Sequence, residues 1–141
     1  MLMFLPTLQA CLGSSYHLLT ADLRAICIDT ADYTVDETHS FLSSVPGAAR
    51  VGVSGTLQNV AVSVVGSEVI LDADDIEIAG VTGDPFEAVL IYDHNGGADG
   101  ARRLVCFIDS GTGFPGTPPP GGGPFLVRFA AGGIAYVANV P

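Results

Sequence analysis

The sequence predicts a single all-β domain, an antiparallel β-sandwich or barrel-like fold of about eight or nine short strands with little helix. Short runs of β-branched and aromatic residues recur along the chain, and Gly, Pro, Asp and Asn separate them. The length of 141 residues suits one domain with one hydrophobic core. Hydrophobic residues make up 48% of the chain and charged residues only 14%, which excludes disorder caused by charge repulsion.

The predicted strands follow one another with turn residues between them. Several alternate with a period of two: Val60, Val62 and Val64 point to one side of their strand, and Ala61 and Ser63 point to the other. Such alternation predicts one buried face and one solvated face. The predicted strands are Leu23–Asp29, Ala49–Val53, Val60–Val65, Glu68–Leu71, Asp75–Ile78, Ala88–Tyr92, Arg103–Asp109, Phe125–Phe129 and Ile134–Val137.

Two stretches, Ala88–Tyr92 and Leu104–Ile108, are apolar on both faces. The turn-rich linker Asp93–Gly100 joins them and is typical of a hairpin. A strand that is apolar on both faces is either central in a layered core or covered by another subunit, and the pattern alone fits both.

The N-terminal residues 1–15 are expected to form a short amphipathic segment that packs on the core or on a neighbouring protein, ahead of a β-domain at residues 16–141. No basic residue precedes this apolar stretch and Pro6 interrupts it, so it does not match a secretion signal. The sequence predicts one short helix at Asp36–Leu42, with Asp36 as its N-cap.

The Pro- and Gly-rich segment 111–124 is predicted to be a long loop, extended at Pro118–Pro120. Loops of this length without periodicity often make functional contacts.

The charge balance argues against several classes of partner. Acidic residues outnumber basic ones by 15 to 5, which gives a net charge of −10. Nucleic acids require clusters of Lys and Arg, and an anionic membrane surface repels an acidic protein. No apolar run reaches the length of a membrane-spanning helix, and three cysteines without paired spacing do not indicate a disulfide framework.

The best enzymatic lead is Asp109-Ser110-Gly111, which follows an apolar strand as a catalytic aspartate does in aspartic proteases. Asp29-Thr30-Ala31 follows a similar strand, and two carboxylates sharing a proton form an acid–base pair. The second copy lacks its glycine, however, and the first runs into the proline-rich loop. Asp followed by Ser or Thr is also a common way to end a strand, so we expect no enzyme.

A metal site is considered for an acidic cluster between two strands. Asp72, Asp74 and Asp75 supply oxygen ligands of the kind that calcium prefers. The glycine and distal glutamate of an EF-hand loop are absent, and carboxylates between strands usually form turns. The three histidines are too far apart in sequence for ligand spacing, so no cofactor is expected.

Read in order, several segments resemble a family of small virion proteins of tailed bacteriophages. His39-Ser40-Phe41-Leu42-Ser43 is similar to the family's H-x-F-L-S segment, and Leu71–Ile76 is similar to its F-D-A-D-D-V. One departure is Phe129, where the family has tryptophan. The other similar segments are Ala21–Val35, Ala88–Tyr92, Arg103–Asp109, Phe125–Phe129 and Ala131–Ile134.

This resemblance implies a non-enzymatic subunit of the virion, made in the host cytoplasm. Within that class we expect a capsid decoration (cement) protein that binds the major capsid protein or other virion subunits. The alternatives are a tail, neck or fibre component, or a soluble calcium- or carbohydrate-binding β-sandwich. The strands that are apolar on both faces lead us to expect a homo-oligomer, with a trimer favoured. The expected partner contacts are Met1, Phe4, Leu5, Phe114, Pro118, Pro119 and Pro120.

Overall fold

The computed structural model describes residues 2–110, 114–118, 121–130 and 133–138, the last four by their backbone alone. Over these residues the chain forms ten strands, one α-helix and four short 3₁₀ turns, which confirms the predicted all-β class. No helix in this part of the chain has the length and hydropathy needed to cross a membrane. The elements are β1 Leu2–Met3, α1 Leu5–Leu12, β2 Leu23–Ile28, β3 Arg50–Val53, β4 Ala61–Val65, β5 Glu68–Asp72, β6 Ile76–Ile78, β7 Ala88–Asp93, β8 Leu104–Ile108, β9 Phe125–Val127 and β10 Ala135–Ala138.

The strands form three antiparallel sheets. The central sheet has five strands in the order β1-β8-β7-β2-β3. A second sheet has the order β10-β5-β4, and β6 pairs with β9 in a third. The longest pairing joins β2 to β7, from Leu23 opposite Asp93 to Ile28 opposite Ala88. The hairpin predicted between β7 and β8 is present.

The central sheet is buried on both faces by residues of the same chain. On one face, side chains of β2 and β7 such as Cys27 and Ile91 join a cluster that includes Leu71, Ile78 and Val127 from the smaller sheets. All six residues of β7 are buried. The apolar pattern of β7 and β8 therefore reflects a layered core, and it no longer requires a covering subunit.

The opposite face of the central sheet is covered by irregular segments instead of strands. Ile26 and Leu90 pack there against Tyr33, Leu42 and Val45. This cluster also takes in the start of the chain, and it gives the domain its second apolar layer.

Two local predictions are wrong. The segment Asp36–Leu42 is not helical, because the Asp36 carboxylate accepts hydrogen bonds from the Thr38 N–H at 2.8 Å and the Thr38 hydroxyl at 2.6 Å. Such a side-chain turn competes with helix formation. The predicted alternation of β4 into one buried and one solvated face also fails, since all five of its residues are exposed.

Arg50 links three segments around the second apolar layer. Its guanidinium donates to the Val45 carbonyl at 2.6 Å and to the Leu42 carbonyl at 2.8 Å. It also forms an ion pair of 2.7 Å with Asp99, and this hydrogen bond holds the pKa of the Asp99 carboxyl below its usual value. The planar fork of arginine suits these contacts because its N–H groups point to several acceptors at once.

We expect Arg50→Lys to lower the free energy of unfolding by about 1.5–3 kcal/mol, since the donors of an ammonium group lie on one nitrogen and cannot reach partners that three separate guanidinium nitrogens serve. Arg24→Lys is the matched control, because Arg24 bonds Asp22 in a surface ion pair of 3.0 Å, and it should cost less than about 1 kcal/mol. Urea denaturation of both variants measures the difference. Equal costs for the two would contradict this role of Arg50.

Candidate functional site

The N-terminal segment is fixed onto the central sheet. β1 pairs antiparallel with β8, and the Phe4 N–H extends this pairing to the Val105 carbonyl at 3.1 Å. The buried Thr7 hydroxyl donates a hydrogen bond to the Leu104 carbonyl. These contacts fix the direction in which α1 leaves the sheet.

The expectation that Phe4 contacts a partner is wrong. Its side chain has 0% exposure and lies in the second apolar layer with Ile26 and Leu90, so another protein cannot reach it. Its neighbour Leu5 is 46% exposed and is available for contact. Met1 lies outside the described residues.

Helix α1 presents an uncharged groove to solvent. Pro6 occupies the first turn, where its missing N–H costs no hydrogen bond, and Gly13 caps the helix after Leu12. Leu5 is 46% exposed and Leu12 is 80% exposed, although both are large apolar side chains. We call this surface the N-terminal groove: it is shallow, has a volume of about 500 Å³, and is lined by Leu5, Pro6, Leu8, Gln9, Leu12 and Thr38.

The described part of the proline-rich loop is attached to the core at Phe86. Gly116 and Phe86 exchange two backbone hydrogen bonds of 2.7 and 2.9 Å. The Phe114 ring packs edge-on against the buried Phe86 ring, with 6.4 Å between centroids, so Phe114 is only partly available for a partner. Pro118 is partly exposed, and Pro119 and Pro120 lie outside the described residues.

The acidic cluster considered as a cation site does not come together. Among the described residues, no three His, Cys, Asp or Glu side chains form a group that could hold a metal ion. Each carboxylate serves a different local neighbour instead: Asp72 accepts from the Ala73 N–H at 2.9 Å, Asp74 from the Asn59 amide at 2.7 Å, and Asp75 from the Phe129 N–H at 2.9 Å.

The two turns considered for a protease lie at the same end of the central sheet but are not adjacent. Asp29 follows β2 and Asp109 follows β8, and β7 runs between these strands. Neighbouring strands are about 4.8 Å apart, so the two turns are separated by about 10 Å. The Asp29 carboxylate accepts a hydrogen bond of 2.8 Å from the Ala31 N–H of its own turn. This arrangement is typical of strand-ending turns and differs from a pair that shares a proton.

A polar network that the sequence analysis missed surrounds the buried Asp93. The Asp93 carboxylate accepts hydrogen bonds from the Tyr16 hydroxyl at 3.1 Å, the Asp22 N–H at 3.2 Å and the Asn95 N–H at 3.1 Å. Burial, followed by the Asp93 charge, raises the pKa of Tyr16, so its hydroxyl stays protonated as a donor. The network ties the turn after β7 to the segment before β2. Only the Asp-His-Asn-Gly turn sequence signals it in advance.

Two of the three cysteines are packing residues. All three are free, and Cys27 and Cys106 lie in the core. Burial raises the pKa of both thiols to about 12. They therefore stay protonated at neutral pH, where the thiolate is the reactive form.

A second apolar surface lies on the hairpin of β4 and β5. We call it the valine edge: Val64 is 74% exposed, and Val62, Val65 and Val69 are each more than two-fifths exposed. Val62 and Val64 lie on one face of the hairpin, with Val69 opposite Val64 on that same face, whereas Val65 lies on the other face. Isolated apolar side chains are normal on protein surfaces, but neighbouring exposed ones are a feature of interaction sites.

The chain matches no protein-family model and no curated protein sequence. What the exposed surfaces can bind is therefore inferred from their geometry. The N-terminal groove offers exposed apolar side chains, and the valine edge offers exposed apolar side chains on a strand at the edge of its sheet.

Proposed function

We propose that this chain is a non-enzymatic structural subunit of a tailed-phage virion, which attaches as a decoration protein to the outer surface of the head. The ordered resemblance to small virion proteins supports the class. The mode of attachment is inferred from the N-terminal groove, because it is an apolar, uncharged surface on a molecule with a net charge of −10.

The groove suits docking because its helix is anchored to the core. Phe4 and Thr7 are both fully buried at the start of α1, and they fix the end of the helix from which the exposed leucines project. A preorganised surface loses less conformational entropy on association than a flexible one. Burial of one leucine side chain contributes about 1.5–3 kcal/mol, so a few such contacts on each of many copies stabilise a shell.

Attachment by this groove should resist salt. Charge pairs on a surface are screened over about 8 Å at physiological ionic strength, whereas apolar contacts are not. An acidic domain that bound by charge alone would leave the particle at high salt.

The test is co-sedimentation with phage particles assembled without the protein. We expect Leu12→Asp to reduce occupancy about tenfold or more, because it replaces an 80% exposed apolar contact by a charge in the groove. Wild-type binding should be equal at low and high salt. A point substitution is preferred to truncation of the N-terminus, since truncation would remove the buried Phe4.

Leu19→Asp is the matched control. Leu19 is 60% exposed and does not line the groove, so this variant should bind like the wild type. Equal binding by Leu12→Asp and wild type, or release of wild type by moderate salt, would contradict the proposal. Electron microscopy of particles that carry labelled protein shows whether the protein is bound to the head or to the tail, neck or fibre.

A further inference from the structure

β4 is an edge strand without the usual protection. It ends the three-stranded sheet, and in the described part of the chain its only neighbouring strand is β5. Natural edge strands are shielded by charges, prolines, bulges or covering segments. β4 reads Ala-Val-Ser-Val-Val, keeps a regular register with β5 and exposes every residue. The edge strand β3 differs, since it carries the charged Arg50 and its pairing with β2 has a register shift between Cys27 and Ile28.

The register shows which backbone groups are free to pair. Val65 and Glu68 lie opposite each other on either side of a two-residue turn. In a hairpin with a two-residue turn, these two flanking residues form a hydrogen-bonded pair. Hydrogen-bonded and non-hydrogen-bonded pairs alternate along an antiparallel ladder. Ser63 therefore bonds to β5, whereas the N–H and C=O groups of Val62 and Val64 point away from β5 toward solvent.

We propose that the valine edge binds a second copy of this chain, with the two β4 strands antiparallel about a two-fold axis at Ser63. In this register each copy's Val62 lies opposite Val64 of the second copy. The outward N–H and C=O groups of both residues are then paired by about four hydrogen bonds. A two-fold contact uses the same patch on both molecules, so the three-stranded sheet continues through both copies.

A second copy fits this edge because the strand is self-complementary. Val62-Ser63-Val64 reads the same in both directions, so β-branched side chains meet across the axis, and such pairs stabilise sheets. β4 carries no charge. The nearest acidic residues in the register, Glu68 and Asp72, lie on β5, which faces away from the axis.

The net charge of −10 does not prevent this contact. Carboxylates on the two β5 strands are three strand spacings apart, about 14 Å, which exceeds the screening length of about 8 Å. A short strand pair buries less area than a standard interface, so we expect a dissociation constant on the order of micromolar. The inference rests on the register, exposure and sequence of β4 and is independent of the proposed virion role.

Sedimentation velocity of the full chain over a range of micromolar concentrations tests the dimer. We expect wild type to change from monomer to dimer and Val64→Pro to dimerise at least about tenfold more weakly. Proline removes the outward N–H of Val64 but no bond to β5, and edge strands tolerate it there. Val64→Lys, which places a charge opposite Val62, should weaken the dimer as well. Leu19→Lys is the control for adding a charge to an exposed apolar site and should dimerise normally.

Amide hydrogen exchange gives a second measurement at the proposed contact. The amides of Val62 and Val64 should become protected as concentration rises, while Ser63 stays protected throughout. A strict monomer, or self-association that both Val64 variants leave unchanged, would overturn the proposal. Protection of these amides only when a different polypeptide is added would also overturn it.

Discussion

Phe4→Ala should lower the free energy of unfolding by about 3–5 kcal/mol, the range for removal of a buried aromatic side chain. The reason is that Phe4 is fully buried in the layer that covers one face of the central sheet. Its backbone also continues the pairing of β1 with β8. Guanidinium denaturation followed by circular dichroism measures the loss.

Leu5→Ala is the control for Phe4→Ala because the two residues are adjacent and only Leu5 is exposed, at 46%. We expect this variant to cost less than about 1 kcal/mol. If both variants lose the same stability, the N-terminal segment is not packed on the core in solution.

Gly133→Ala is the second change with a large expected effect. A Cβ atom at this position would lie 2.3 Å from the Ile70 side chain and 2.7 Å from the Leu71 carbonyl oxygen. Gly133 also has a φ of +87°, which side chains disfavour. A left-handed conformation costs about 1–2 kcal/mol and overpacking about 1–3 kcal/mol, so we expect a loss of roughly 2–5 kcal/mol. Thermal unfolding by calorimetry measures it.

Gly66→Ala separates the two causes. Gly66 has a similar left-handed φ of +60°, but no atom lies within 4 Å of a Cβ built there. It should therefore show the backbone cost alone, about 1–2 kcal/mol. A loss for Gly133→Ala no larger than for Gly66→Ala would mean that the close approach to Ile70 is absent in solution.

The strands of the fold were predictable because the pattern of their side chains shows the period of a β-strand directly. Each of the nine predicted strands is present, with ends that shift by one or two residues. β1 was missed because Leu2–Met3 is too short to show a period, and only its partner β8 makes it a strand. The turn at Asp36 was misread because aspartate serves equally as a helix cap and as a turn former.

The candidate site was less predictable because periodicity identifies a strand without saying what covers it. β4 alternates as a half-buried strand should, yet both of its faces are exposed. β7 and β8 suggested a covering subunit, yet the chain itself covers them. Phe4 and Leu5 are neighbours of similar hydropathy, and only the tertiary structure shows that one is core and the other surface.

The pairing of β1 with β8 also delays completion of the central sheet during folding. Leu2 lies opposite Phe107, so this pairing joins residues that are 105 positions apart in the sequence. Contacts between residues so far apart in sequence slow folding, because a long loop must close, at a cost in entropy, before their hydrogen bonds can form. Until this loop closes, the outer edge of β8 is unpaired, and the β1 segment of a second copy can pair there instead of the chain's own. We therefore expect refolding of this domain to become less efficient as protein concentration rises.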